Sequence, residues 1–336
     1  MPELIIVTRE LCKEYRVLER YPGFRGSLRT LFTRRYQTVK AVDHVTFSIE
    51  RGELVGYIGP NGAGKSTTIK MLTGVLVPTS GYVETAGLVP YRYRQKLARR
   101  IGVVFGQRSQ LWWDLPLVES FHILKEIYRI PRGTFERNMQ VFSELIGLGE
   151  LLNTPVRQLS LGQRMRGEMA AALLHNPEIV FLDEPMLGLD VVAKEELRRF
   201  TLEINREREV TVILTSNDMA DVERLCKRII IIDRGQLLYD GTVEDLKSRH
   251  APYRTLVVHF GEDYPEIYAE GAELVRRDGM RSWFRFDRAV NPQQLIADLS
   301  RRYVITDLSI EEPTLEEVIR EIYQKRRAAE RKEDTL

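Results

Sequence analysis

Residues 59–67, Gly-Pro-Asn-Gly-Ala-Gly-Lys-Ser-Thr, fit the pattern G-x-x-x-x-G-K-[ST]. Glycines at Gly59, Gly62 and Gly64 permit a tight loop whose backbone N–H groups converge on an anion. A helix opening near Ser66 would add the partial positive charge of its N-terminus. Lys65 then has the reach to touch the outer phosphates of a nucleoside triphosphate, and the Ser66 hydroxyl can ligate Mg2+. Asn61 and Thr67 complete the loop as candidate nucleotide contacts. A second group, Asp183 and Glu184, closes the apolar run Ile179-Val-Phe-Leu. An aspartate at the end of a buried strand beside such a loop suits an outer partner of Mg2+. Glu184 is placed to polarise a water for attack on a γ-phosphate. The lesser alternative, turn acids capping the next element, carries little weight beside a matched phosphate loop.

These groups need elements to hold them. Short, apolar, β-branched runs at Leu54–Ile58, Ile101–Phe105, Ile179–Leu182, Val210–Thr215 and Ile229–Ile232 read as strands buried on both faces. Helical periodicity covers Leu117–Tyr128, Phe135–Ile146, Arg164–His175 and Ala193–Arg206. The alternation predicts an α/β domain over 1–245, with the phosphate loop between a strand and a helix. A polar linker is expected at 246–253, followed by a small C-terminal α+β domain over 254–328 and a charged tail at 329–336. In that second domain strands are predicted at Thr255–Phe260, Ser282–Phe286 and Val304–Ile310, and helices at Pro292–Arg302 and Thr314–Lys325. Trp283 and its neighbouring aromatics read as core, because they alternate along a strand.

Between the two chemical motifs lies Leu159-Ser160-Leu161-Gly162-Gln163-Arg164. By itself a Ser-x-Gly-Gln before a helix is only a cap signal. In this order with the other motifs, it makes residues 1 to about 245 resemble the nucleotide-binding subunits of ABC transporters. The resemblance implies an α/β P-loop ATPase with a RecA-like core, an antiparallel β subdomain and a helical subdomain at about 108–175. It implies ATP and Mg2+ as ligands. Ser160, Gly162 and Gln163 match the signature motif, which contacts the γ-phosphate of ATP held by the opposite subunit. Gln107 matches the glutamine that senses Mg2+ and faces the permease, and Asp190 matches the loop that passes between subunits. Tyr15 matches the aromatic that stacks on adenine, with Tyr36 a competing candidate. The implied partners are a second copy of the chain and separate integral-membrane permease subunits, which would place the protein at the cytoplasmic face of a membrane. The C-terminal extension and its ending, Ile310-Glu-Glu-Pro-Thr-Leu-Glu-Glu-Val-Ile319, are similar to those of type-2 exporters, which implies an accessory, regulatory or dimerisation role for residues 254–328. A soluble or regulatory ABC ATPase, acting as an ATP-gated dimer, is the alternative.

Two positions depart from the family pattern. Leu161 stands where glycine is most common, while Gly162 is retained. Asn217 stands where the family places a histidine that bonds the γ-phosphate and orders the catalytic glutamate and water. Asparagine can donate an N–H but cannot become cationic, so ATP binding is expected to survive better than hydrolysis.

Composition narrows the remaining classes. A net charge of +2 gives no global field for nucleic acid, and two cysteines, Cys12 and Cys226, make no disulfide scaffold. The first residues lack the pattern of a signal peptide. No apolar run approaches the roughly 18–20 residues that span a bilayer, so any membrane role is expected to come through a partner. Within an insertion at about 16–40, Phe24, Leu28, Leu31 and Phe32 share one helical face among arginines. That pattern suits a short amphipathic helix at an anionic membrane surface or against a permease.

Overall fold

The structure is a computed structural model that describes residues 3–18, 36–106 and 108–333. The chain divides into two compact units, Met1–Gly241 and Thr242–Leu336.

The first unit holds two sheets. β1 (Leu4–Leu18) pairs antiparallel with β2 (Tyr36–Glu50) on one side and β4 (Ser80–Thr85) on the other. One face of β2, carrying Val42, Val45, Phe47 and Ile49, is buried. The second sheet has the order β5-β6-β7-β3-β8-β9, built from β3 (Leu54–Ile58), β5 (Ile101–Phe105), β6 (Ile179–Asp183), β7 (Thr211–Thr215), β8 (Arg228–Asp233) and β9 (Gln236–Thr242). Strands β5, β6, β7, β3 and β8 are parallel. Parallel strands need cover on both faces, which is why these runs are continuously apolar rather than alternating. Both sheets share one core, in which Phe47 of β2 meets Tyr57 of β3 at 5.7 Å between ring centres.

Helices supply that cover. α1 (Lys65–Leu72) follows β3, and α2 (Arg94–Ala98) precedes β5. α3 (Leu117–Tyr128), α4 (Arg132–Ile146) and α5 (Leu161–Leu173) come between β5 and β6. Left-handed residues, Arg129 and Gly147, end α3 and α4. α5 starts three residues before the periodicity suggested, because Ser160 caps it: its hydroxyl accepts from Gln163 N–H while the Gln163 side chain accepts from Ser160 N–H. Asp190 likewise caps α6 (Val191–Arg208), and Asp218 caps α7 (Met219–Leu225).

The second unit opens with α8 (Val243–His250). This corrects the expectation of a linker over 246–253. The segment is polar, with only Leu246 buried, yet it satisfies helix-end rules: Thr242 caps it, Glu244 and Asp245 sit in the first turn, and Lys247, Arg249 and His250 in the last. A four-stranded antiparallel sheet follows in the order β11-β12-β10-β13, from β10 (Tyr253–Phe260), β11 (Ala272–Asp278), β12 (Arg281–Asp287) and β13 (Ile305–Glu311). Leu295 and Leu299 of α9 (Pro292–Arg302) cluster with Leu256, Val258, Phe284 and Phe286 of the sheet. α10 (Leu315–Glu333) ends the chain's described part. Trp283 is not in that core. It alternates with Phe284, so it lies on the other face, where Arg276 and Arg281 approach its ring at 4.6 and 5.1 Å.

Within the expected insertion at 16–40, residues 16–18 and 36–40 are strand. Phe24, Leu28, Leu31 and Phe32 lie outside the described residues.

Candidate functional site

The phosphate loop leaves β3 and turns into α1 through two glycines that no other residue replaces cheaply. Gly64 caps α1 at φ 108°, and a Cβ there would sit 2.3 Å from the Ala41 carbonyl oxygen. Gly62 has φ 81° with open space where its Cβ would project, so the loop presents bare backbone outward. Lys65 is 6% exposed, and its ammonium donates to Gly59 O at 2.7 Å and Pro60 O at 3.3 Å. Burial pulls its pKa below the ordinary lysine value, against the opposing pull of Glu184 and Asp183. A desolvated ammonium folded onto carbonyls beside an open glycine loop suits a polyphosphate, whose charge would restore what burial costs.

Strand ends converge on the same point. Ser66 Oγ donates to Asp183 Oδ2 at 3.2 Å, and Thr215 Oγ1, at the end of β7, donates to Asp183 Oδ1 at 2.6 Å. A hydroxyl and a carboxylate so close form a hard-oxygen pair of the kind Mg2+ takes. Glu184 stands next to them at φ 54°, a backbone region that glycine favours. Its N–H is held by the Thr215 carbonyl and hydroxyl, both at 3.1 Å. Gly106 donates its N–H to Asp183 O, and a Cβ on it would meet Glu184 O at 2.5 Å. Gln107, the next residue, lies outside the described residues. A cavity of about 400 Å³ opens here, lined by Ser66, Lys70, Phe105, Gly106, Arg108, Asp183 and Glu184 among others.

Asn217 closes the cluster. Its Nδ2 donates to Glu184 Oε1 at 2.7 Å and, weakly, to Asn61 Oδ1 at 3.4 Å, while its Oδ1 faces the Lys65 ammonium at 3.5 Å. The amide thus turns its oxygen to the cation and its nitrogen to the carboxylate, the only orientation that satisfies both. Behind it Lys194 bonds Asp218 at 2.6 Å and approaches the buried Asp221 at 3.7 Å, while Arg198 also binds Asp221. The Lys194 bond holds the Asp218 carboxyl below the usual carboxylate range. Thr215 and Lys194 escaped the reading of the sequence: a threonine in a strand reads as β-propensity, and Lys194 lies 24 positions from Asp218.

Ser160, Gly162, Gln163 and Asp190 form a separate group. The starts of α5 and α6 touch, since a Cβ on Gly162 would lie 2.9 Å from Ala193 Cβ. Leu161 packs by Gly188, 3.3 Å from where its Cβ would be. Among the described residues, no hydrogen bond links this group to the phosphate loop, and neither cavity beside Glu184 includes it. Thr67, on α1, follows Ser66. Tyr15 and Tyr36 are both exposed on the β1–β2 pair, facing Val39 and Leu18 in register; the Lys13 ammonium lies 5.5 Å from the Tyr15 ring centre.

A parallel sheet with this loop after an inner strand, acids at a strand end and an amide just past the adjacent strand defines a P-loop nucleotide-binding protein. A family model for ABC transporters matches residues 42–187. The ABC transporter ATP-binding protein NatA of Bacillus subtilis is 33% identical over 218 residues, spanning 64% of this chain and 88% of that one. The Nod factor export ATP-binding protein I of Ralstonia nicotianae is 32% identical over 269 residues, 79% of this chain and 82% of the relative. Among solved structures, a dimeric bacterial ABC transporter cassette is 26% identical, with a TM-score of 0.58 over 70% of this chain and 98% of that chain. The chain belongs to the family of ABC transporter ATP-binding proteins, and its fold is that of their ATPase domain. No described helix is long and apolar enough to cross a membrane.

Proposed function

We propose that the chain is the ATP-hydrolysing subunit of an ABC exporter, closing as two identical copies around two ATP and driving separate membrane permease subunits from the cytoplasmic face. The observation that carries this reading is the set of hydrogen bonds that brings Lys65, Asn217 and Glu184 together beside the Ser66–Asp183 pair, with Ser160 and Gly162 set apart from them.

In this reading Lys65 exchanges the Gly59 and Pro60 carbonyls for the β- and γ-phosphates. Gly59, Asn61, Gly62, Gly64 and Thr67 frame the loop, and Tyr15 or Tyr36 stacks on adenine. Ser66, Asp183 and Gln107 would hold Mg2+, which when bound would offset phosphate charge. Glu184, steadied by Asn217, takes the proton of the attacking water. The start of α5, with Ser160, Gly162 and Gln163, meets the γ-phosphate of the other copy, and Asp190 passes between copies. A signature group that shares no cavity with its own phosphate loop supports a site completed by a second copy, as does the dimeric solved relative. The relative named for export supports that direction of transport. Asn217 favours a second reading, an ATP-gated dimer that regulates without transport.

A test can separate the capping role of Ser160 from contact with ATP. Aspartate caps helices as well as serine does, but its carboxylate would face the partner's phosphate. Glu184→Gln should bind Mg-ATP and occlude it, so that bound nucleotide resists a chase of unlabelled ATP. Adding Ser160→Asp should leave the fold and ATP binding intact while abolishing that occlusion. If the double variant occludes ATP as readily, Ser160 is a cap and nothing more. Retention of the native chain by membranes carrying its permease separates transport from the soluble alternative.

A further inference from the structure

The second unit carries an unguarded sheet edge. β13 borders β10 and has no other strand beside it among the described residues. From Thr306 to Glu311 every residue of it is exposed. Leu308 and Ile310 pair with the buried Val258 and Leu256, so they continue the core face of the sheet, yet they remain 39% and 40% exposed. The Leu308 N–H is met not by β10 but by the Asp307 carboxylate, at 2.8 Å. Natural edges are usually blunted by bulges, prolines or lysines. The opposite edge, β11, is bulged between Leu274 and Arg276. β13 has neither proline nor lysine, and its one register shift lies at its start, by Ile305.

We infer that β13 pairs antiparallel with β13 of a second copy across a two-fold axis, joining the two sheets. The partner is argued from charge and register. Opposed residues in an antiparallel pair share a face, so a symmetric pairing within this strand centres on Asp307, Leu308 or Ser309. Centring on Asp307 sets two aspartates against each other. Centring on Ser309 sets Asp307 against the partner's Glu311. Like charges directly opposed destabilise a sheet. Centring on Leu308 avoids both: Leu308 faces its own copy, Ile310 faces the partner's Thr306, and Asp307 faces the partner's Ser309. That register also joins the two exposed apolar stripes into one. An isologous contact of this kind closes on itself and stops at two copies. Its use rests on the proposed ATP-driven pairing: two chains held at β13 stay at high effective concentration when nucleotide leaves. The contact itself needs no ATP.

Register-specific crosslinking of the full chain tests it. The two native cysteines are buried, so the wild type serves as blank. Asp307 and the partner's Ser309 would form a non-hydrogen-bonded pair with Cα atoms about 4.5 Å apart, inside disulfide range. Asp307 and its own copy would be offset by two residues, about 8 Å apart, beyond that range. Asp307→Cys mixed with a size-tagged Ser309→Cys, under mild oxidant and without nucleotide, should give at least tenfold more disulfide dimer than either variant alone. Leu308→Lys added to both should remove it. Absence of crosslink in the mixture, or equal crosslinking by a single variant, overturns the inference. Occlusion of ATP by Glu184→Gln, measured separately and also with Leu308→Lys added, reports on the proposed ATPase pairing, so the two ideas fail independently.

Discussion

Replacing Asn217 by histidine tests how this site handles Glu184, the proposed general base. In the native chain the Asn217 amide sits between two charges: its nitrogen is 2.7 Å from Glu184 Oε1 and its oxygen 3.5 Å from Lys65 Nζ. The better of its N–H bonds is therefore spent on Glu184, and the other makes only a 3.4 Å contact with Asn61. An imidazole beside the same carboxylate would gain a proton and donate a charged hydrogen bond. Bonds to ionised groups contribute about 1.5–3 kcal/mol against about 1 for neutral ones. An advantage of about 1.4 kcal/mol expressed in the transition state is a tenfold gain in rate. Room exists for the ring, because a cavity of about 280 Å³ lined by Glu184, Leu187, Gly188, Lys194 and Asn217 among others adjoins it.

The assay is steady-state Mg-ATP turnover of the purified chain and of Asn217→His, with Glu184→Gln as blank. The expected result is a kcat at least tenfold higher in the histidine variant, with KM within about twofold, since ATP is bound mainly by the loop. A pH profile adds a second readout. Glu184 should raise the imidazole pKa above its ordinary 6.5, so the gain should be full below that raised value and fade as pH climbs through it. The native chain should lack this limb. Equal kcat for the two proteins, both well above the blank, would refute the reasoning and make the neutral amide sufficient.

Two further perturbations follow from buried groups. Thr215→Val keeps shape but removes the hydroxyl that bonds Asp183 Oδ1 and receives Glu184 N–H; losing a bond to a charged group should lower stability by about 1.5–3 kcal/mol in urea titrations and depress kcat more than it alters KM. His175 donates through Nε2 to Ile101 O at 2.9 Å and stacks on Tyr128, and burial pushes its pKa down to about 4. Its neutral form is the one the fold holds, so this contribution is complete above 6.5 and is lost as pH falls toward 4; by pH 5 the loss should reach about 2 kcal/mol. Urea midpoints at pH 7.5 and 5.0, compared with His175→Gln, check it: an equal acid shift in the variant would exonerate His175.

How much of this was legible in the sequence depends on where each residue sits. The β3 loop and the end of β6 were readable because backbone and chemistry make the same demand there: glycine for a left-handed turn, a carboxylate where a buried strand emerges. The core strands were readable from their continuous apolar runs, and α3 to the residue. α8 was not, because Glu244-Asp-Leu-Lys-Ser-Arg carries one apolar side chain, and its end-charges identify a helix only once its position is known. Ser160 and Asp190 illustrate the converse. Within one chain each is fully explained as a helix cap, so their proposed contact with ATP is invisible to any single copy, folded or not.

The orienting groups were least legible of all. Thr215, Lys194 and Asp221 are ordinary residue types, made consequential by tertiary placement alone. Asn217 stands between the two cases. Its departure from the family pattern was visible as a missing cation, but geometry changes what that departure means. The amide does not leave Glu184 unheld; it grips it at 2.7 Å. What the substitution removes is therefore not the steadying of the carboxylate but the positive charge of that bond, which counts where charge develops in the transition state. On that ground turnover, rather than ATP affinity, is the quantity that Asn217→His should change.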